Sequence, residues 1–280
     1  LAYLLDARLI FFCFVDTLTP EPARMPSKDL LDKVRMDWCK NSNTASRIEH
    51  CLGYITHYFY NETTELCEEM SYTICFRSAD EGVFLSMYDC VRSCGAGADF
   101  EACMGDKHEP SDPDYTKCPD RKETLDAWYG PWYYDINEER CVKYESCQKY
   151  YNFPASANGF SESYFCGKRC GKINHQNIKM LQNGVSTASC SGVPPGKCEP
   201  EVGNDDWQEL YFYNEETSKC EPYISCHNEW PKGHTITNSF ASLKWCELEC
   251  RNFTEVVEKY NITYAEDYTG SSPVLLLGEQ

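Results

Sequence analysis

The chain is short of positive charge. It sets 26 Lys and Arg against 44 Asp and Glu, for a formal charge of −18 and a pI near 4.7. Nucleic acid is excluded as a partner, because phosphates require a basic surface. Long hydrophobic runs are also missing. The apolar stretch Leu9–Val15 and the final PVLLLGEQ are both too short to cross a bilayer. There is no C-x2-C knuckle of the kind that holds structural zinc. The six histidines form no H-x3-H pair and have no paired-carboxylate context, and neither a nucleophile elbow nor a phosphate-cradling glycine motif occurs. The chain therefore does not read as an enzyme, and it implies no cofactor and no metal.

What it has in abundance is cysteine, 19 in 280 residues. Such density belongs to oxidising, extracellular compartments. Residues 1–22 read as the remainder of a secretory signal peptide: Arg8, a short apolar run, then polar, proline-containing sequence. Its removal takes away Cys13 and leaves an even eighteen, which fits a secreted protein.

The stretch Cys51–Cys75, CLGYITHYFYNETTELCEEMSYTIC, sets the pattern for the rest. Alternating aromatics from Ile55 to Tyr60, the turn-forming Asn61-Glu-Thr-Thr, and a second short run read as a β-hairpin with cysteines along it. The chain returns to this pattern at Trp128–Cys147 and Trp207–Cys226. After the first hairpin, FLSMYDCVRS (84–93) has helical spacing, with Cys90 and Cys94 on one face and Gly95 as a stop. Both later copies keep the closing C-x3-C, at Cys166–Cys170 and Cys246–Cys250.

Three units of roughly 60–70 residues follow, a size at which a hydrophobic core alone is marginal. A disulfide closing a loop of ~15 residues contributes ~3 kcal/mol, so the cysteines form the framework. A polar linker runs through Gly97 and the EPSDPD segment (109–114). Residues 253–280 read as an acidic tail in which Tyr260, Tyr264 and Tyr268 offer a sulfation context, weighed against plain solvation.

These features resemble the Kunitz-type domains of pancreatic trypsin inhibitor and tissue factor pathway inhibitor, whose pattern is C-x8-C-x15-C-x7-C-x12-C-x3-C. The first unit keeps the x15, x7 and x3 gaps between Cys51, Cys67, Cys75, Cys90 and Cys94. Tyr58–Asn61 matches the family's YFYN, and Phe84, Phe160 and Phe240 stand six residues before Cys90, Cys166 and Cys246, at the family's core Phe. The chain of three is similar to the multi-Kunitz, tissue factor pathway inhibitor-like salivary proteins of blood-feeding arthropods.

The resemblance implies a small disulfide-rich α+β fold, with each module a twisted two-stranded hairpin and a short C-terminal helix. The modules would be Kunitz 1 at 35–97, a divergent Kunitz 2 at 103–172 and a divergent Kunitz 3 at 190–252. The family pairing of first with sixth, second with fourth and third with fifth gives Cys39–Cys94, Cys51–Cys75 and Cys67–Cys90 in the first module. Counting back sixteen places from Cys141 and Cys220 reaches Leu125 and Asn204, where a second cysteine is missing. Carry-over then gives Cys118–Cys170, Cys141–Cys166, Cys198–Cys250 and Cys220–Cys246, with the upstream cysteines supplying Cys103–Cys147 and Cys190–Cys226. Six cysteines allow fifteen connectivities, and pairing between repeats stays open.

In this family an exposed, pre-organised loop enters a serine protease like a substrate, and the residue after the second cysteine fills the primary pocket. Here that residue is Leu52, followed by Gly53, Tyr54 and Ile55. Thr73 and Ile74 stand where the family has two glycines, an exchange that β-branching makes poor for a close approach. The corresponding residues of the divergent modules are Asp126 and Asp205, which a pocket floored by Asp would repel. Trp128, Tyr129, Trp132 and Trp207 read as hairpin core or as protein-contact anchors.

The expectation is a secreted inhibitor of serine-type endopeptidases or their zymogens, with coagulation or host-defence proteases as targets. Its acidic, tethered modules would hold basic exosites. The alternative is a non-inhibitory binding protein on the same scaffold, engaging a zymogen, receptor or ion channel. The sequons at Asn61, Asn252 and Asn261 are compatible with N-glycosylation.

Overall fold

The computed structural model of the chain describes residues 28–40, 56–70, 79–108, 131–144, 153–185, 187–199, 207–226 and 230–262. It opens with helix α1 (Lys28–Lys40), which turns Leu30, Val34 and Trp38 inward at helical spacing. Strands β1 (Tyr58–Asn61) and β2 (Leu66–Glu69) form the first antiparallel hairpin, with Tyr60 opposite Cys67. A 3-10 turn (Ala79–Glu81) leads into β3 (Val83–Phe84), which pairs with β1. Helix α2 (Met87–Cys94) follows. Its start is capped by Ser86 Oγ, which accepts from Asp89 N, and its end by Gly95 at φ 63°. The helix thus begins later than the spacing predicts, and Phe84 lies in a strand.

Beyond it come β4 (Gly97–Ala98), parallel to β2, and the short α3 (Glu101–Met104). Gly97 is therefore part of a sheet and not of a linker. The second hairpin pairs β5 (Trp132–Asp135) with β6 (Arg140–Lys143) and is followed by α4 (Ser163–Cys170) and α5 (Ile178–Gln182). The third pairs β7 (Trp207–Asn214) with β8 (Lys219–Cys226), followed by α6 (Leu243–Cys250) and α7 (Phe253–Lys259).

The three hairpin–helix units repeat in detail. Phe84, Phe160 and Phe240 are buried and pair through their backbones with Tyr58, Trp132 and Tyr211. In each unit a bridge ties the second strand to the helix: Cys67–Cys90, Cys141–Cys166 and Cys220–Cys246. A further bridge ties the last residue of the helix to an upstream cysteine: Cys39–Cys94, Cys103–Cys170 and Cys190–Cys250.

The last two of these correct the expected pairing. Cys170 bonds Cys103 instead of Cys118, and Cys250 bonds Cys190 instead of Cys198. Cys103–Cys147 and Cys190–Cys226 are thereby ruled out, and Cys226 bonds Cys198. The expected pairing rests on the family's fixed gap between second and third cysteines, and that gap is not kept. In the third unit twenty-one residues separate Cys198 from Cys220. Lengthening a surface loop costs little, with each doubling adding only ~0.6 kcal/mol. The second cysteine is displaced along the chain, not lost. Cys51, Cys75, Cys118 and Cys147 lie outside the described residues.

A second correction concerns 253–280. Its first part is helical, with Phe253 and Val256 buried and Tyr260 edge-on to Trp38 at 5.5 Å. The rest of that stretch, from 263, lies outside the described residues.

The core runs continuously through all three units. Trp38 of α1 meets Trp245 of α6 edge to face at 5.4 Å, and Trp245 Nε1 donates to Ala79 O at 2.9 Å. Arg35 bonds Asp32 and Glu249. Gly184, at φ 64°, passes so close to Gly95 that a Cβ would stand 2.2 Å from its carbonyl oxygen. Glycine is required there for both reasons.

Candidate functional site

The loop predicted to carry activity in the first unit, Leu52, Gly53, Tyr54 and Ile55 with Thr73 and Ile74, lies outside the described residues. Its base is described. His57 is buried, and its carbonyl accepts the Met70 amide at 2.9 Å, closing the hairpin just below that loop. Asp126, Asp205, Trp128 and Tyr129 also lie outside the described residues, whereas Trp132 is half-buried in the hairpin core and Trp207 is exposed.

The corresponding region of the third unit is described as far as Glu199, and this braced stretch forms the candidate site. The segment Gly192–Glu199 runs back along the outer side of β8. Cys198 N donates to Ile224 O at 3.1 Å and Cys226 N to Gly196 O at 2.8 Å, with the Cys198–Cys226 disulfide between these two bonds. Tyr223 Oη donates to Pro195 O at 3.1 Å and lies 2.8 Å from Ser239 Oγ, which anchors the segment from below. Burial pushes the Tyr223 hydroxyl above its ordinary range, so it stays a donor.

Gly196 has φ 67°, and a Cβ there would meet the Trp230 ring at 2.7 Å and Cys226 O at 3.0 Å. Trp230 is held by its own bond from Nε1 to Ser225 Oγ at 3.0 Å. Pro194 and Pro195 stiffen the approach. At the end of this pinned segment Glu199 is exposed. Trp207 stands opposite Cys226 in the β7–β8 register and is 44% exposed, and Val193 is 87% exposed. The arrangement is a segment braced against β8, with an acid, an indole and an aliphatic side chain exposed around it.

The residue following the bracing cysteine is therefore Glu199, and Asp205 is corrected as its equivalent. The signal is present in the sequence: seven residues separate Cys190 from Cys198, one fewer than the family's eight. A second feature that spacing alone does not reveal is the buried asparagine two places before the core Phe. Asn158 Oδ1 accepts from Tyr134 N, and its Nδ2 donates to Tyr134 O and Gly105 O at 2.7–2.8 Å. Asn238 makes the same bonds to Tyr213 N, Tyr213 O and Gly192 O, each 2.8 Å, and so ties the base of the braced segment to the hairpin. The first unit has Gly82 at that place.

Metal ligation has one candidate among the described residues, the sulfurs of Cys67, Cys90 and Cys94. All three are spent in disulfides, and a metal needs thiolates. Among the sequons, Asn252 and Asn261 are exposed. Asn61 organises its own turn, where Oδ1 accepts from Thr63 N at 2.9 Å and Nδ2 donates to Glu68 at 2.8 Å. Asn214 does the same in the third hairpin without a sequon, through Glu216 N and Glu221. No helix among the described residues is long and apolar enough to cross a membrane.

No protein-family model matches the chain. It is 23% identical over 204 residues to the carboxypeptidase inhibitor SmCI of Sabellastarte magnifica, covering 71% of this chain and 93% of that protein. It is 27% identical over 124 residues to a BPTI/Kunitz domain-containing protein of Haliotis asinina, covering 44% and 79%. These relatives support a Kunitz family. Papilin of Drosophila melanogaster is 23% identical over 205 residues, and the chain, with 71% of its length aligned, spans 6% of that much longer protein. Among solved structures, the complex of SmCI with human carboxypeptidase A4 matches 72% of the chain at 21% identity, with a TM-score of 0.16 that gives the superposition no weight. The Kunitz-like relatives carry inhibitor and domain names, not enzyme names.

Proposed function

We propose that the chain is a secreted Kunitz-type inhibitor of serine-type endopeptidases, with coagulation or host-defence proteases as its targets, built of three tandem modules. The observation that carries this reading is the Cys198–Cys226 brace, which with two backbone bonds ties Gly192–Glu199 to β8. A pre-organised loop loses little entropy on binding. The family resemblance assigns the primary-pocket contact to the residue after the second cysteine. That is Leu52 in the first module, suited to an apolar pocket, and Glu199 in the third, suited to a basic one. Glycans at Asn61, Asn252 and Asn261 belong to the same proposal, with Asn252 and Asn261 offering exposed side chains.

The test is inhibition by the full chain of chymotrypsin-like, glutamate-directed and trypsin-like serine proteases and of a metallocarboxypeptidase, the enzyme class in the name of the SmCI relative. Leu52→Asp is expected to remove inhibition of the first, and Glu199→Lys to shift the third module from the second to the third. Inhibition of the carboxypeptidase alone, untouched by either change, would replace the serine-protease reading.

The second reading, a non-inhibitory binding protein for a zymogen, receptor or ion channel, is favoured by the exposed Trp207 beside an acidic tip. It predicts equal binding to proteases with open and with chemically blocked active sites.

A further inference from the structure

Tandem small domains joined by linkers would be expected to move independently, each with its own core. The packing around α2 is of another kind. Asp89 of α2, Lys172 after α4 and Gln208 of β7 come one from each hairpin–helix unit and meet in the interior. Lys172 Nζ lies 3.4 Å from Asp89 Oδ1, with both side chains no more than 3% exposed. Gln208 Nε2 donates to Asp89 Oδ2 at 3.2 Å, and Ser86 Oγ donates to the same oxygen at 2.6 Å. The Lys172 ammonium also lies over the rings of Trp230 (4.8 Å) and Tyr88 (5.5 Å). Tyr88 Oη in turn sits 3.2 Å from Thr187 Oγ1 and 3.4 Å from Thr237 Oγ1.

We infer that this node locks the three hairpin–helix units into one cooperative body, so that a partner meets the exposed hairpin ends in one fixed arrangement. Burying two charges is costly unless each is paired and hydrogen-bonded. Each unit supplies what another lacks. Without the second unit Asp89 loses its cation, and without the first Lys172 loses its anion. Separating the first or second unit leaves a charge without its partner, and separating the third strips Gln208 and Trp230 from the pair, which couples their unfolding. The inference is independent of which protease, if any, the braced loop enters. It replaces tethered avidity, in which linker length sets an effective concentration, with rigid presentation.

The test is native-state hydrogen exchange on the full oxidised chain, read at one hydrogen-bonded amide in each unit: Met70, Trp132 and Tyr211. Lys172→Met is expected to accelerate all three by a common factor on the order of 100-fold, since removing one partner strands the other charge. Gln208→Met, which spares the ion pair, is expected to give a smaller common acceleration and serves if Lys172→Met fails to fold. Lys232→Ala removes the exposed pair with Glu138 and is expected to change none of them. Acceleration confined to Trp132 in Lys172→Met, or to Tyr211 in Gln208→Met, would overturn the inference.

Discussion

Removing the Cys198–Cys226 bridge separates two roles that disulfides play. The pair closes a separation of 28 residues. The chain-entropy relation for a loop of about that size gives ~12 cal/mol/K, or ~3.6 kcal/mol at 25 °C. The bridges Cys190–Cys250 and Cys220–Cys246 already constrain the same stretch of unfolded chain, which lowers the expected loss to ~2–3 kcal/mol. In the folded state the Cys198 N–Ile224 O and Cys226 N–Gly196 O bonds survive, each contributing about 1 kcal/mol. The double variant Cys198→Ser, Cys226→Ser should therefore fold, lose about 2–3 kcal/mol, and exchange the amides of 196–198 far faster. Urea denaturation without reductant, followed by near-ultraviolet circular dichroism, measures the loss. Peptide mapping of the parent protein checks the premise, because cleavage at Lys197, Lys219 and Tyr223 leaves Cys190, Cys198, Cys220 and Cys226 on separate peptides. A Cys190–Cys226 linkage, or a stability change below about 0.5 kcal/mol, would refute the reasoning.

Asn238→Ala deletes three bonds of 2.8 Å and leaves Tyr213 N and O without them, for an expected loss of about 3 kcal/mol by denaturant titration. Gly97→Ala would place a Cβ 2.3 Å from Gln182 O, a backbone atom that cannot swing aside. It should cost at least about 1–3 kcal/mol and lower the thermal midpoint. Burial holds His234 below its ordinary value, a direction reinforced by the Lys172 and Arg92 cations and opposed by Glu139 and by the bond to Pro231 O. With its folded pKa below the unfolded value near 6.5, the contribution to stability is complete above pH 6.5 and is lost as pH falls through the folded pKa. His234→Gln should flatten that acid limb in a stability–pH series, and an unchanged limb would assign it to another group.

Much of each unit is legible in the sequence because its signals are local. Alternating aromatics before Asn61 and Asn214, the C-x3-C spacing and the Phe six residues upstream all report on neighbours along the chain. The bracing cysteine is legible in the short Cys190–Cys198 gap but not by counting back from Cys220, because that count presumes a fixed loop length and loops are where length is free. The helix Phe253–Lys259 escapes the sequence for a different reason. It is barely two turns long, its apolar residues Phe253 and Val256 are buried in the shared core, and Tyr260 just beyond packs edge-on to Trp38, more than 200 positions away. No window of local periodicity contains that partner.

Helix α2 takes this point furthest. Its sequence, MYDCVRSC, carries the polar Asp89, Arg92 and Ser93, which in a module standing alone would meet water. All eight of its residues are buried. Burial would raise the Asp89 carboxyl, but the Lys172 ammonium, with bonds from Ser86 and Gln208, outweighs it and holds the group below its ordinary value. Arg92 donates to Thr237 O at 2.7 Å and stacks over Phe240 at 4.8 Å. A charge on a helix face thus reports only that it needs a partner, and water is one partner among several. Here the second and third units take the place of water. The polar residues that would be the outside of one module are the inside of the assembled chain.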